Sequence, residues 1–261
     1  MAKLCPLFSS SSGNSVYISF GENAVLVDAG TNAKRILNTL NMHGIDENTI
    51  KAIFITHCHT DHISALSVLN KKLNLPIYAS RDTLDYLCNK GIVKEDTRLI
   101  DISAKPQDLG FLSAEFFETS HDCKGSGGFR FTYQNKSLSF CTDLGVVTEK
   151  VRNHLIGSEV VYFESNHDVT MLTKGPYPPY LKQRILGDSG HLSNALCANE
   201  LPLLVEKGAK KIVLGHLSKE NNLPAIAKST AEASLMNIGA KNGQDYMLYV
   251  APPECGKTVY F

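Results

Sequence analysis

The stretch Ile53-Phe-Ile-Thr-His57-Cys-His59-Thr-Asp61-His62 places three histidines and an aspartate directly after a short apolar run. The apolar run predicts a strand, and the polar residues follow at its carboxyl end. The first two histidines lie on one side of an extended loop, and the Asp-His pair can turn toward a second point. Imidazole and carboxylate groups suit divalent ions such as zinc, manganese or iron.

A polar loop with coincidental histidines is the alternative interpretation of this stretch. The chain has 9 histidines among 261 residues. At that frequency, three histidines and one aspartate at fixed places would arise by chance in roughly 5 of 10,000 such chains. The pattern therefore indicates a metal site.

The composition is that of an ordinary globular protein. Hydrophobic residues make up 43%, and the 26 basic side chains balance the 26 acidic ones. No broad positive field attracts nucleic acid, so any such binding must use a local patch. No apolar run is long enough to span a membrane, and no signal peptide is recognisable. Seven cysteines without a CxxC pair favour a reduced, cytoplasmic chain.

Strand-like and helix-like segments alternate along the chain, with a strand-rich middle. The predicted strands cover residues 15–20, 24–28, 52–55, 77–79, 114–119, 128–133, 137–142, 159–164 and 210–214, followed by two short closing strands. The predicted helices cover residues 33–40, 66–73, 81–89, 192–207 and 225–239. This order predicts a layered α/β architecture in one domain, residues 1–261. The sequence sets no oligomeric state.

The His-x-His-x-Asp-His motif resembles that of the metallo-β-lactamase superfamily. Further acids and histidines follow at the places where the family pattern has them, each ending or following a predicted strand. They are Asp28, His121, Asp143 and His216. The resemblance covers nearly the whole chain. It implies a four-layer αββα sandwich, a single domain without a long inserted second domain.

The resemblance also implies two divalent metal ions per chain, manganese or zinc, or else iron. His57, His59 and His121 would hold the first ion, Asp61, His62 and His216 the second, and Asp143 would bridge them. Asp28 would orient a ligand histidine from behind. A hydroxide shared by the two metals would be the nucleophile, so no serine or cysteine nucleophile is needed. Asp61 is thus also a candidate catalytic residue, and Cys58 is interpreted as packing.

A second motif indicates which branch of the family the chain resembles. Gly190-His-Leu-Ser-Asn194 resembles, in part, the Gly-His-Ser-Thr segment of tRNA 3′-processing endonucleases, whose histidine assists phosphodiester cleavage. Glu164 resembles the acid that orients this histidine. A histidine paired with a carboxylate can protonate a poor alkoxide leaving group, so His191 and Glu164 are candidate catalytic residues. The alternative is a helix-capping region with a stray histidine and a buried glutamate satisfied by backbone.

Several polar residues near these motifs are candidate substrate-binding groups. They are Ser12, Asn14, His167, Lys182, Arg184 and Asn194. The 174–184 segment interleaves basic and aromatic side chains, which can hold phosphates and stack bases. A proline-rich surface loop explains the same segment. The serine run 9–12 could offer donors to phosphate or be a flexible turn, and the role of His167 stays open.

The combined motifs are closest to the small bacterial YycJ-like (WalJ-like) metallohydrolases. They are Ser-Ser-Gly-Asn at 11–14, the ligand motif, and the segments 164–168, 175–178 and 190–194. This resemblance implies a binuclear metal-dependent phosphodiesterase, a 5′-to-3′ exonuclease with DNA favoured over RNA as substrate. Two alternatives remain: a hydrolase of small esters, thioesters or lactones, and a regulatory metal-binding protein with vestigial activity.

Overall fold

A computed structural model describes all 261 residues. The chain divides into two compact units. Unit 1 comprises Met1–Phe116, Cys123–Ser126 and Pro252–Phe261, and unit 2 comprises Phe117–Asp122 and Gly127–Ala251. Each unit has a buried apolar core of its own. The expectation of one domain over residues 1–261 stays a prediction.

Unit 1 is built on a seven-stranded mixed sheet. Its strands are β1 (Ala2–Ser10), β2 (Gly13–Phe20), β3 (Asn23–Val27), β4 (Ile50–Phe54), β5 (Ile77–Ala79), β6 (Leu99–Asp101) and β14 (Val259–Tyr260). They lie in the order β14-β1-β2-β3-β4-β5-β6. The strands from β14 to β3 pair antiparallel, and those from β3 to β6 pair parallel.

Four helices belong to unit 1: α1 (Ala33–Met42), α2 (Thr60–Ile63), α3 (Leu66–Leu73) and α4 (Arg81–Asn89). Side-chain caps fix where two of them begin. Asn32 caps α1 by accepting from the Lys34 amide, and Ser80 caps α4 by accepting from the Thr83 amide. Apolar residues of these helices, such as Ile36, Leu69 and Leu87, are buried in the core of unit 1.

Two further strands, β7 (Gln107–Asp108) and β8 (Ser113–Glu118), form an antiparallel pair. In unit 2, the strands are β9 (Gly127–Tyr133), β10 (Lys136–Cys141), β11 (Val160–Glu164), β12 (Lys211–Gly215) and β13 (Met247–Val250). They lie side by side in the order β13-β12-β11-β10-β9. The strands β10 to β13 are parallel, and β9 pairs antiparallel with β10.

The helices of unit 2 are α5 (Glu149–Leu155), α6 (Val169–Lys174), α7 (Pro179–Leu186), α8 (Asn194–Glu206) and α9 (Pro224–Met236). Ser193 caps α8 by accepting from the Leu196 amide, and proline stands in the first turn of α7 and α9. Leu201 and Leu235, from α8 and α9, are fully buried in the core of unit 2. No helix has the length and apolar character needed to cross a membrane.

The strands and helices predicted from the sequence are confirmed, with bounds that differ by at most three residues. Seven elements were not predicted: β1, β6, β7, α2, α5, α6 and α7. The structure also decides two interpretations that the sequence left open. The serine run is no flexible turn, because Ser9 and Ser10 lie buried within β1 and only a tight turn separates them from β2. The 174–184 segment is no plain loop, because it contains the end of α6 and most of α7. Proline at position 179 starts α7, where the missing amide costs nothing.

Gly30 lets the backbone after β3 approach α2. The amides of Ala29 and Gly30 donate to the carbonyls of His62 and Asn14, at 2.8 Å each. A Cβ at residue 30 would lie 1.5 Å from the Asp61 carbonyl oxygen. No rearrangement of side chains alone can relieve an overlap with backbone.

We therefore expect Gly30→Ala to lower the free energy of unfolding by about 3 kcal/mol, the upper part of the usual range for overpacking. Urea denaturation measures this. Gly187→Ala is the matched control, because its Cβ would meet nothing closer than 3.3 Å. It should cost less than about 1 kcal/mol. Equal effects of both substitutions would contradict the steric account.

Candidate metal centre

A buried carboxylate organises the histidines of unit 1. Asp28 follows β3, and Thr56 lies just beyond the neighbouring parallel strand β4, so both reach the same edge of the sheet. The Asp28 carboxylate accepts from the Thr56 amide at 2.9 Å and from His62 Nδ1 at 2.8 Å. Burial raises the pKa of Asp28, and the His62 imidazole opposes that rise. With its Nδ1 proton held there, His62 presents the lone pair of Nε2, the form that binds a metal.

Thr56 links the Asp28 carboxylate to a second histidine and orients its imidazole in the same way. Its Oγ1 donates to Asp28 at 2.9 Å and lies 3.0 Å from His57 Nδ1, from which it can accept. His57 Nε2 then faces His59 Nδ1 at 3.0 Å. Two nitrogen ligands of one tetrahedral zinc ion lie about 3.3 Å apart, given Zn–N distances of about 2.0–2.1 Å. This pair of nitrogens therefore fits a shared divalent ion.

Asn14 completes the arrangement in unit 1, which we call donor cluster 1 (His57, His59, Asp61 and His62). The buried Asn14 amide lies 3.1 Å from His62 Nε2 and 3.3 Å from Asp61 Oδ2. Asp61 Oδ2 is 3.4 Å from the same His62 nitrogen. The structure thus places Asn14 against two predicted ligands. Its predicted contact with substrate stays a prediction, as does that of Ser12, whose hydroxyl pairs with Ser10.

Donor cluster 2 (His121, Asp143, His191 and His216, with Glu164) belongs to unit 2. Asp143, Glu164 and His216 stand at the carboxyl ends of the parallel strands β10, β11 and β12. Parallel strands bring these ends to one edge of the sheet, the usual place for a site in such sheets. The ligand atoms of Asp143, Glu164, His191 and His216 all lie within 4.8 Å of one another.

Glu164 is the centre of donor cluster 2. Its Oε1 accepts from Nδ1 of His191 and from Nδ1 of His216, both at 2.8 Å. Its Oε2 accepts from the amides of Leu144 and Leu192, both at 3.1 Å. Burial alone would raise the pKa of this carboxyl, but His191 and His216 lower it to about 2. Glu164 is therefore ionised at neutral pH, and both imidazoles direct Nε2 away from it.

The remaining members of the cluster show the same pattern. His121 Nδ1 donates to the Gly190 carbonyl at 3.1 Å, which leaves its Nε2 for a ligand. That nitrogen lies 3.8 Å from Asp143 Oδ1, and His216 Nδ1 lies 3.4 Å from the same oxygen. Neutral imidazoles held through one nitrogen, together with carboxylates, are donors that zinc, manganese and iron accept. The residues present fit the divalent ions implied by the resemblance.

Three predicted site residues have backbone conformations that side chains rarely adopt. Asp28, Asp143 and His216 have φ values of 62°, 60° and 56°. Each directly follows or lies just beyond a strand end. Such residues cost of order 1–3 kcal/mol each and concentrate at functional sites. Aspartate and histidine adopt positive φ more often than most residues, but no sequence pattern marks these three positions for it.

The predicted substrate-binding residues of unit 2 differ in their burial and in their hydrogen-bond partners. Lys182 donates to the Thr173 carbonyl at 2.7 Å, and Arg184 pairs with Asp122. Asn194 is buried, and its amide exchanges hydrogen bonds with Asn222 at 2.9 Å. His167 is buried beside a cavity that His191 also lines. Their contacts with substrate stay predictions.

Three features of the site were missed in the sequence. They are the Thr56 link, the Asn14 contacts and the bond from Glu164 to His216. The last was detectable, since Glu164 and His216 end two predicted strands that a parallel pairing brings side by side. Asn14 belongs to the Ser-Ser-Gly-Asn motif, but this motif does not indicate contacts with the metal-ligand histidines, and Thr56 carries no pattern beyond its place before His57.

Comparisons with known proteins identify the family of the chain. The sequence model of the metallo-beta-lactamase superfamily matches residues 10–216. Exodeoxyribonuclease WalJ of Streptococcus pneumoniae is 36% identical over 251 residues, which cover 95% of this chain and 93% of the relative. Exodeoxyribonuclease YycJ of Bacillus anthracis is 33% identical over 258 residues, 98% of this chain and 97% of the relative.

Solved structures show the same fold at low identity. The metallo-beta-lactamase fold protein YhfI from Bacillus subtilis superposes with a TM-score of 0.72 at 15% identity, covering 99% of this chain and 98% of YhfI. The short form of human tRNase Z gives a TM-score of 0.68 at 15% identity, covering 100% of this chain and 99% of the enzyme. The predicted family resemblance and fold class are confirmed.

The central place of Glu164 leads to a test on metal binding. We expect Glu164→Gln to weaken zinc or manganese binding about 10- to 100-fold. The side-chain NH2 group of the glutamine would face the backbone amides of Leu144 and Leu192, and a donor cannot bond to a donor. Isothermal titration of the metal-free protein measures the affinity. Glu159→Gln, just before β11 and paired with Lys136, is the control and should leave it unchanged. Unchanged affinity in a folded Glu164→Gln protein would refute the assignment.

Proposed function

Because the chain belongs to the metallo-beta-lactamase superfamily, we propose that it is a binuclear metal-dependent phosphodiesterase that degrades DNA as an exonuclease. The observation that carries this proposal is Glu164, which holds His191 beside the predicted ligand His216. Its relatives WalJ and YycJ, matched over nearly the whole chain, are named exodeoxyribonucleases. DNA is accordingly the proposed substrate, and 5′-to-3′ the proposed direction.

We propose that the chain holds two divalent ions, manganese, zinc or iron. The ligands are those implied by the resemblance: His57, His59 and His121 for the first ion, Asp61, His62 and His216 for the second, and Asp143 between them. Such ions supply Lewis-acid activation of the phosphodiester and of a water nucleophile. Asp28, Thr56 and Glu164 orient the ligand imidazoles from behind.

We propose that His191 is the general acid. A water oxygen adds to phosphorus and releases one proton to solvent, the bond from phosphorus to the 3′-oxygen breaks, and the proton on His191 Nε2 passes to that oxygen. Glu164 keeps the Nδ1 proton in place and stabilises the imidazolium that precedes transfer. An alkoxide leaving group is a strong base, so this proton is needed for a natural phosphodiester.

A cytoplasmic location is part of the proposal. None of the seven cysteines is in a disulfide, although the sulfurs of Cys58 and Cys123 lie 2.8 Å apart. Neighbouring cysteines that stay reduced are typical of a reducing compartment.

The role of His191 predicts a dependence on the leaving group. We expect His191→Ala to keep its metal ions but to cleave DNA about 10²- to 10⁴-fold more slowly. With bis(p-nitrophenyl) phosphate the loss should stay below about tenfold, because p-nitrophenolate leaves without a proton. His43→Ala, at the end of α1, is the control and should resemble the wild type. Equal losses on both substrates would contradict the general-acid role.

The proposed substrate is tested with end-labelled single- and double-stranded DNA and RNA, in manganese or zinc. We expect stepwise shortening of DNA from the 5′ end, abolished by a chelator and restored by metal. Turnover of carboxylic esters or thioesters, with no cleavage of any nucleic acid, would overturn the proposal.

A further inference from the structure

A cavity of about 300 Å³ opens beside His191 within unit 2. Apolar side chains surround its mouth: Val169, Leu186 and Leu196, which are 43–46% exposed. Ala195 lines it from the first turn of α8, and His167 lines it from the loop after β11. Ligand cavities span roughly 300–1,000 Å³, so this one is large enough for one small chemical group but not for a stretch of nucleic acid.

His167 is the unexplained residue of this cavity. Its side chain is 1% exposed, yet neither Nδ1 nor Nε2 has a hydrogen-bond partner. Buried polar atoms are nearly always paired, so two unpaired nitrogens next to a cavity point to a ligand. Burial lowers the pKa of His167 to about 4, so the ring is neutral at pH 7. A neutral imidazole offers one donor and one acceptor.

The chemistry of the cavity disfavours a phosphate. No lysine or arginine lines it. Two of the first three amides of α8 are already used, since Asn194 donates to the His167 carbonyl and Leu196 donates to the Ser193 hydroxyl. The walls are mostly apolar, and their polar side chains, His167, His191 and Ser193, include no lysine or arginine. Such a lining matches a nucleobase, which is flat, largely apolar on its faces and polar at its edge.

We propose that this cavity binds the nucleoside attached to the leaving 3′-oxygen, with its base between Leu186 and Leu196 and its edge toward His167. The inference rests on the proposed function, since it uses His191 as the donor to that oxygen. In 5′-to-3′ cleavage the bound group is the nucleoside at the 5′ end of the DNA. Because the cavity has room for this one nucleoside, each cleavage step releases a single nucleotide.

The test combines a blocked cavity with a substrate that lacks the base. Ala195→Trp fills the cavity from an exposed position of α8. Lys207→Trp, exposed at the other end of the same helix, is the matched control. Each protein is assayed on a 5′-phosphorylated oligonucleotide with a normal terminal nucleotide and on one with an abasic terminal nucleotide. The values of kcat/KM are compared.

We expect kcat/KM of the wild type to be about tenfold or more lower on the abasic end than on the normal end. A loss of this size is usual when the contacts of one bound base are removed. Ala195→Trp should show the same loss on the normal end and little further loss on the abasic end, while Lys207→Trp behaves as wild type. Equal cleavage of both ends by the wild type would overturn the cavity proposal alone. If no oligonucleotide is cleaved, the proposed function fails with it.

A second, independent observation concerns the thiols of Cys58 and Cys123 in unit 1. Their sulfurs are 2.8 Å apart, against about 2.04 Å in a disulfide, so a small side-chain rotation closes the gap. Cys58 is partly exposed and Cys123 is buried, which gives a reagent access to one of them. Cys58 stands between the proposed ligands His57 and His59, so a bond at its sulfur constrains the ligand loop.

We infer that a peroxide converts this pair into a reversible disulfide that lowers nuclease activity. One thiol attacks the peroxide and becomes a sulfenic acid with release of water. The second thiol attacks that sulfur and displaces another water, so the two thiols supply two electrons and two protons. A thiol reductant reverses the reaction.

Mass spectrometry after hydrogen peroxide treatment tests this inference. We expect a peptide cross-link between Cys58 and Cys123, the loss of two titratable thiols, and at least a fivefold fall in activity that dithiothreitol restores. Cys58→Ser should prevent all three changes, whereas Cys88→Ser, at an exposed cysteine, should prevent none. Persistence of the activity loss in Cys58→Ser, or both thiols remaining free in the wild type, would overturn the inference.

Discussion

The site depends on buried carboxylates that hold imidazoles through Nδ1. Glu164 holds two of them and accepts two backbone amides as well, so four donors surround one fully buried charge. Burying a carboxylate without such donors costs several kcal/mol, and each charge-assisted hydrogen bond returns about 1.5–3 kcal/mol. The carboxylate is therefore stable only while all its partners stay in place, which fixes the orientation of His191 and His216.

The fold supplies this constraint twice. In unit 1, Asp28 ends one strand and its partners follow the parallel neighbour. In unit 2, Asp143, Glu164 and His216 end three adjacent parallel strands. Left-handed backbone at Asp28, Asp143 and His216 turns each chain sharply after its strand. Strain of this kind persists only where the surrounding sheet and hydrogen bonds hold it. The order of the strands therefore determines which acids and histidines meet in the site.

Much of this was predictable because the pattern of strand followed by acid or histidine is local in sequence. The strands, the main helices and the family were inferred from such patterns, and the structure and comparisons confirm them. The roles of individual residues stay predictions. The link from Glu164 to His216 depends on which strands are neighbours, and the left-handed turns depend on backbone geometry that non-glycine residues do not announce. Helices α6 and α7 were missed because prolines, glycine and aromatic residues obscure their periodicity.

The central claim is that two divalent ions are held by the proposed ligands. Anomalous diffraction from crystals grown with zinc or manganese tests it most directly. We expect two peaks per chain, one bonded to His57, His59 and His121, the other to Asp61, His62 and His216, with Asp143 touching both. A single peak at saturating metal, or ions bonded to His191 in place of His216, would contradict it.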